Sequence, residues 1–314
     1  MSGEKLAQRS YYGKALAKLA ETNPDVVVLD ADLAGSTKTS NFQAAAPERF
    51  VQVGIAESNM IGVAAGMAAS GKIAFASTFG VFASGRCWEQ IRMAVAYPKL
   101  NVKIVATHCG LSVGPDGATH QALEDIAIMR SLPNMTVVVP CDAYEAYAAT
   151  LALAEHDGPA YMRMGRSEFP VIKDKDCTFQ IGKADVIREG KDVSIIACGQ
   201  MVQTSIEAAE LLEKEGISAE IINMATVKPL DAEAVIATAR KTGAVVTAEE
   251  HSIIGGLGSA VAECLSENYP VPLGRVGTMD TFGESGEAEE LLAKYGLTAR
   301  NIADKAKETI NKRS

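Results

Sequence analysis

GIAESNMIGVAAGMAASGKIAFAS, residues 54–77, runs from a helix of very small residues through Gly71 into a short apolar strand. The Val-rich run DVVVLDAD (25–32) comes before it and ends in polar residues, where a strand opens into a loop. Strand, helix and strand in that order is the unit from which parallel sheets are assembled. The alternation continues: KIAFAS (72–77), VKIVATH (102–108), MTVVVP (135–140) and PAYMRM (159–164) read as strands, with helical patterns over 84–97, 121–131 and 143–155 between them. An amphipathic helix opens the chain. Gly62 and Gly66, four apart on one helix face, allow close approach by a neighbour, within the chain or from a second copy.

Over 168–179 the pattern fails, and charge, Pro and Gly take its place. Alternation then resumes with DVSIIACG, ISAEIINM and AVVTAEEH as strands, MVQTSIEAAELLEKEG and LDAEAVIATARKTG as helices, a helix over 256–267, a strand over 271–277 and a mostly helical tail from 286. Two three-layer α/β domains are therefore expected, residues 1–168 with a mainly parallel sheet and a smaller domain over 180–314, joined by a linker at 169–179.

Charge and composition narrow the function classes. Thirty basic against 39 acidic residues leave a net charge of −9, which gives no support for a nucleic-acid surface. No apolar stretch approaches the ~18 residues of a membrane span, and the N-terminal pattern lacks the h-region of a signal peptide. None of the six cysteines pairs at CxxC spacing, so inert thiols in a reducing, cytoplasmic setting are expected and no metal site is.

Neither a GxxxxGK[ST] loop nor a GxGxxG after a strand occurs. GGLG (255–258), between a strand and a helix, reads as a tight turn or as an anion cradle. Polar and glycine residues gather in loops after the expected strands, where ligand sites of open α/β sheets form. His108 and His120, with Asp116 between them, make the densest titratable group. Glu57 stands at a helix start among uncharged residues. It is a capping group, or a buried acid able to bond a heterocyclic nitrogen. Phe79 and Phe82 are core residues, or an apolar wall for a flat ring.

ADLAGS (31–36), GIAESNMIGVAAGMA (54–68), ASTFGVFASG (76–85), the long run 106–142 and TAEEHSIIGGLGSAVAE (247–263) together resemble the pyrimidine-binding and C-terminal domains of transketolases and related thiamine-diphosphate enzymes. The resemblance implies the C-terminal subunit of a two-chain transketolase, which moves a two-carbon ketol unit from a ketose phosphate to an aldose phosphate. It implies thiamine diphosphate, with Mg2+ or Ca2+ held mainly by a separate N-terminal subunit, a homodimer of this chain and a heterotetramer with the partner. Glu57 matches the family glutamate that bonds N1′ of the aminopyrimidine. Phe79 and Phe82 match its aromatic wall, although Gly85 stands where the family often has tyrosine. His108 and His120 match histidines near the substrate, and Asp116 an aspartate that reads sugar hydroxyls. Arg9, Ser36 and Arg166 match the phosphate holders, with Arg163 a competitor for the last place. The β subunit of a 2-oxo acid dehydrogenase E1 and a deoxyxylulose-phosphate-synthase-like enzyme are the alternatives.

Overall fold

The computed structural model describes residues 4–313. Its strands, in chain order, are β1 (Lys5–Ala7), β2 (Val26–Asp30), β3 (Phe50–Gln52), β4 (Ile73–Phe79), β5 (Val102–Thr107), β6 (Thr136–Val138), β7 (Ala160–Arg163), β8 (Glu168–Pro170), β9 (Asp185–Arg188), β10 (Val193–Ala197), β11 (Ala219–Asn223), β12 (Thr226–Lys228), β13 (Val245–Ser252) and β14 (Leu273–Thr278). The first sheet has the order β12-β6-β7-β5-β4-β2-β3, parallel throughout except for β12. The second has the order β14-β13-β10-β11-β9, parallel except for β9. Every residue of β2, β5, β7, β10 and β11 is buried, the mark of strands covered on both faces. Helices provide that cover. Gln8–Thr22 packs beside Ala143–Glu155, while Glu57–Ala69 contributes Met60, Ile61 and Ala64 to a separate core cluster with Ile91, Val95 and Met129. That cluster also takes in Ile196, Ile222, Leu257 and Val261, so apolar packing is continuous between the two sheets.

Three expectations need correction. The stretch 84–97 is not one helix: a π-helical turn over Phe82–Arg86, a single α turn over Trp88–Gln90 and a second π-helical segment over Ile91–Ala96 replace it. Such bulges let a chain re-aim side chains beside a site. The expected 121–131 helix begins only at Asp125, because Gln121 and the residues after it are spent on loop contacts. The linker opens with structure, since Glu168–Pro170 pairs antiparallel with Lys5–Ala7, a strand that the amphipathic reading of the N-terminus had hidden. Thr226–Lys228, a segment to which the sequence reading gives no element, leaves its sequence neighbours and pairs with β6 at the edge of the first sheet. Three-residue strands whose partners lie far along the chain carry no local period, so a window along the sequence does not see them.

Gly62 and Gly66 are exposed, and a Cβ built on either meets nothing within 4 Å. The close approach they allow is thus not used inside this chain.

Candidate functional site

Apart from Arg9, which opens the Gln8–Thr22 helix, the expected site residues lie at the carboxyl ends of the first sheet's parallel strands and on the segments that follow. β2 ends at Asp30, β4 at Phe79 and β5 at Thr107. Asp30 is fully buried and accepts bonds from the Leu33 amide (2.6 Å), the Thr37 hydroxyl (2.8 Å) and the Thr39 hydroxyl (2.9 Å). Burial pushes its carboxyl above the usual range even so. The carboxylate thereby folds the turn that carries Ser36, whose carbonyl accepts from Arg9 Nη1 at 3.0 Å.

An aromatic cluster forms the centre. Phe79 and Phe82 stack with centroids 6.1 Å apart, and the His108 ring lies on Phe79 at 3.9 Å. His120 meets both phenylalanines edge-on, at 6.3 and 5.3 Å. Each histidine is held at Nδ1 by the threonine before it, Thr107 and Thr119, both at 2.9 Å. Nε2 of each ring has no protein partner among the described residues. His108 also sits at a φ of 57°, a strained conformation for a non-glycine residue and one that marks functional loops. Burial, with Arg9, Arg166 and His120 adding positive charge, lowers its pKa to about 3, so the imidazole is neutral near pH 7.

Glu57 is buried at the start of its helix, yet its neighbour Ile55 is 79% exposed, which places the carboxylate at the lip of an open face. Arg86 Nη1 donates to Glu57 Oε1 at 2.8 Å, and its guanidinium lies 4.4 Å over the Phe82 ring. Space beside Gly85 is open, so where a tyrosine would stand the side of the cluster is bordered by Arg86 instead.

Arg163 and Arg166, at the end of β7 and in the turn after it, have different fates. Arg163 is buried, with Nε bonded to Asp125 (2.9 and 3.2 Å) and Nη2 to the carbonyls of Glu250 (2.7 Å) and Ala122 (3.4 Å). Arg166 is exposed and touches only the Val113 carbonyl, at 3.1 Å. Arg9 and Arg166 form no ion pair among the described residues, and buried Arg9 Nε has no hydrogen-bond partner. Burial and then the Arg166 charge lower the Arg9 pKa. Arg9 and Arg166 are thus near enough for their charges to act on each other, with Glu168 the acidic neighbour that partly offsets them at Arg9. Asp116 is exposed at the end of a 3-10 turn (Leu111–Asp116) and forms no hydrogen bond or ion pair among the described residues.

Sequence reasoning missed Asp30, Arg86 and the two threonines. The repeated tripeptide Ala-Thr-His, at 106–108 and 118–120, was the signal for the last two. GGLG proves to hold an anion of its own chain: the Leu257 and Gly258 amides donate to Glu249 at 2.7 and 2.8 Å. A surface groove of about 820 Å³, lined by Tyr11, Lys14, Tyr144, Tyr147 and Lys175 among others, contains none of the expected site residues. No group of three or more His, Cys, Asp or Glu placed to hold a metal occurs among the described residues.

Comparison with known proteins gives two family matches, the transketolase pyrimidine-binding domain over residues 4–171 and the transketolase C-terminal domain over 182–302. The 6-deoxy-6-sulfo-D-fructose transketolase subunit SqwH of Clostridium sp. strain MSTE9 is 48% identical, over 98% of this chain and 95% of its own. One of the subunits of an apulose-4-phosphate transketolase from Phocaeicola vulgatus is 38% identical, over 99% of this chain and 100% of its own. A solved split-gene transketolase, an inactive beta4 tetramer, superposes with a TM-score of 0.93 at 55% identity, covering 98% of this chain and 100% of that one.

Proposed function

This chain belongs to the transketolase family, and from that premise we propose that it is the C-terminal subunit of a split enzyme, supplying the pyrimidine side of a thiamine-diphosphate site for reversible ketol transfer between sugar phosphates. The observation that carries the reading is the convergence of Glu57, joined through Arg86 to Phe82, with the Phe79–Phe82–His108–His120 cluster and the Arg9 and Arg166 charges that act on His108.

The residues fit one half of the cofactor. A buried carboxylate beside stacked aromatic rings suits an aminopyrimidine, and no group of three or more His, Cys, Asp or Glu placed to hold a divalent metal occurs among the described residues. Those ligands, with Mg2+ or Ca2+, are assigned to a separate N-terminal subunit. When bound, thiamine diphosphate supplies the electron sink through which the bond beside a carbonyl breaks and re-forms. Glu57 holds the proton at N1′. Phe79 and Phe82 orient the ring and exclude water. Neutral His108, together with His120, exchanges protons with substrate hydroxyls through Nε2, Asp116 reads hydroxyl configuration, and Arg9, Ser36 and Arg166 hold the terminal anion. Relatives named for a sulfonated and a phosphorylated sugar fit a subsite that recognises a tetrahedral oxyanion rather than one sugar. No helix is long and apolar enough to cross a membrane among the described residues, and six free thiols support a reducing, cytoplasmic setting.

The isolated chain, given thiamine diphosphate and magnesium, is expected to show no ketol transfer, and addition of the N-terminal subunit to restore it. Full turnover by the chain alone defeats the reading. The exposed Gly62 and Gly66 face is the candidate contact between copies, so light scattering should show at least a dimer alone and two copies of each subunit after mixing. A monomer that forms only a one-to-one complex contradicts this.

Arg166→Ala in the reconstituted enzyme should raise KM for phosphorylated donors about tenfold or more, the loss of charge-assisted bonds worth about 1.5–3 kcal/mol. Turnover of an unphosphorylated ketose should change little. An equal loss on both donors would take the anion away from Arg166.

A further inference from the structure

The sequence TAEEH at the end of β13 has no part in the site above, yet every one of its polar side chains is buried. Glu249 closes the GGLG turn. Glu250 crosses to the first sheet's side, where its Oε1 accepts the Ser112 amide at 2.6 Å. His251 Nε2 accepts the Ala127 amide at 3.3 Å, and its Nδ1 donates to the Ser252 carbonyl at 2.6 Å. Ser112 lies within the loop that joins His108 to His120, and Ala127 lies just beyond it.

That loop is shaped against the second domain along its length. Its neck is the bridge between Cys109 and Ala122, with the Gly110 amide on the Ala122 carbonyl at 3.0 Å. Arg163 ties this neck to the β13 backbone through the carbonyls of Ala122 and Glu250. The loop's three glycines, Gly110, Gly114 and Gly117, all have positive φ, of 84°, 80° and 73°. A Cβ on Gly110 would overlap the Glu250 carboxyl, one on Gly117 the Ser285 hydroxyl, and one on Gly114 would lie 3.3 Å from the Gly286 carbonyl. Gln121 completes the seam: its Nε2 reaches the Glu284 carbonyl at 2.9 Å and the Gly114 carbonyl at 3.3 Å. All three glycines are therefore favoured by their backbone angles, and Gly110 and Gly117 also by a second-domain side chain that a Cβ would overlap.

We infer that the C-terminal domain is a clamp for the substrate loop, and that Glu250 is a positioning residue which, through the Ser112 amide, sets the placement of Asp116 and the two histidines. The inference rests on the proposed function for its substrate but not for its geometry. A misplacement of binding groups by about 1 Å is costly to catalysis even when they are all present. A buried carboxylate on a backbone amide is the kind of contact that fixes a loop rather than merely covering it.

The test uses Glu250→Ala, with Glu250→Gln as the conservative variant that keeps an acceptor at Oε1. In the isolated chain, amide hydrogen exchange over 110–117 should speed about tenfold or more in the alanine variant, while 57–69 exchanges as in the wild type. In the reconstituted enzyme, KM for the donor sugar should rise about tenfold, with cofactor affinity and exchange of the cofactor's C2 hydrogen unchanged and the glutamine variant close to wild type. Unchanged loop exchange and unchanged KM overturn the inference. So does faster exchange across the whole chain together with lost cofactor affinity, which describes a merely structural residue. If the alanine variant does not fold, Gly283→Ala replaces it: its Cβ would press on Gln121 Oε1 from the second domain's surface and should give the same split. A wild-type complex without ketol transfer would defeat the proposed function alone, because loop exchange still decides the clamp.

Discussion

Replacing Glu57 by glutamine should lower ketol transfer by the reconstituted enzyme at least a hundredfold, about the lower range of what a positioned acid or base contributes, and should do so whichever sugars are supplied. Glutamine keeps the volume of the side chain and one oxygen toward Arg86, but it cannot exchange a proton with N1′. The loss should therefore appear before any substrate binds, as slowed exchange of the C2 hydrogen in bound thiamine diphosphate. Stability is expected to stay within about 1 kcal/mol, because the ion-pair partner Arg86 is half exposed and a pair of that kind contributes little. Normal C2 exchange in the variant would leave Glu57 as a helix-start carboxylate and move the chemistry elsewhere. A fall in thermal stability matching the fall in activity would mean the same.

The contrast between Glu57 and the clamp shows what a sequence makes legible. Strand and helix alternation is a local property, so both α/β layers and most of their long elements could be read directly from runs such as 25–32 and 193–197. Glu57, Phe79, Phe82, His108 and His120 were legible for a related reason: each lies in or beside a short motif at the end of an element, and loops after parallel strands are where ligand sites form. What stayed hidden depends on partners far along the chain. Lys5–Ala7 is a strand only because Glu168–Pro170 lies beside it, and Thr226–Lys228 only because β6 has a free edge. Arg86 gives no local signal, because nothing near it in the sequence says that a π-helical turn will carry its guanidinium back over Phe82 to Glu57. GGLG, readable as a tight turn or as an anion cradle, is both at once: the turn is closed by the carboxylate of Glu249, on the strand that leads into it, which nothing in the local sequence names as the anion.

Arg163 and Arg166 are the sharpest case, close neighbours along the chain and identical in chemistry. Arg163→Met should destabilise the fold by about 3–5 kcal/mol, the cost of leaving a buried charge without its partner. Asp125 would keep only the Tyr161 hydroxyl, at 2.7 Å, and the carbonyls of Ala122 and Glu250 would lose their shared donor. Methionine fills similar space, so the loss would come from the unpaired carboxylate and not from a cavity. Adding Asp125→Asn to Arg163→Met should recover part of the deficit, because the remaining group is then neutral and can still accept from Tyr161. Arg166→Ala, exposed and bonded to one carbonyl, should shift the urea midpoint hardly at all. Urea unfolding of the four proteins, followed at a fixed pH, therefore separates the two arginines independently of any assay. An Arg163→Met protein as stable as wild type but with raised KM for phosphorylated sugars would exchange the two roles, making Arg163 the anion holder and the Asp125 pair a contact that opens when substrate arrives.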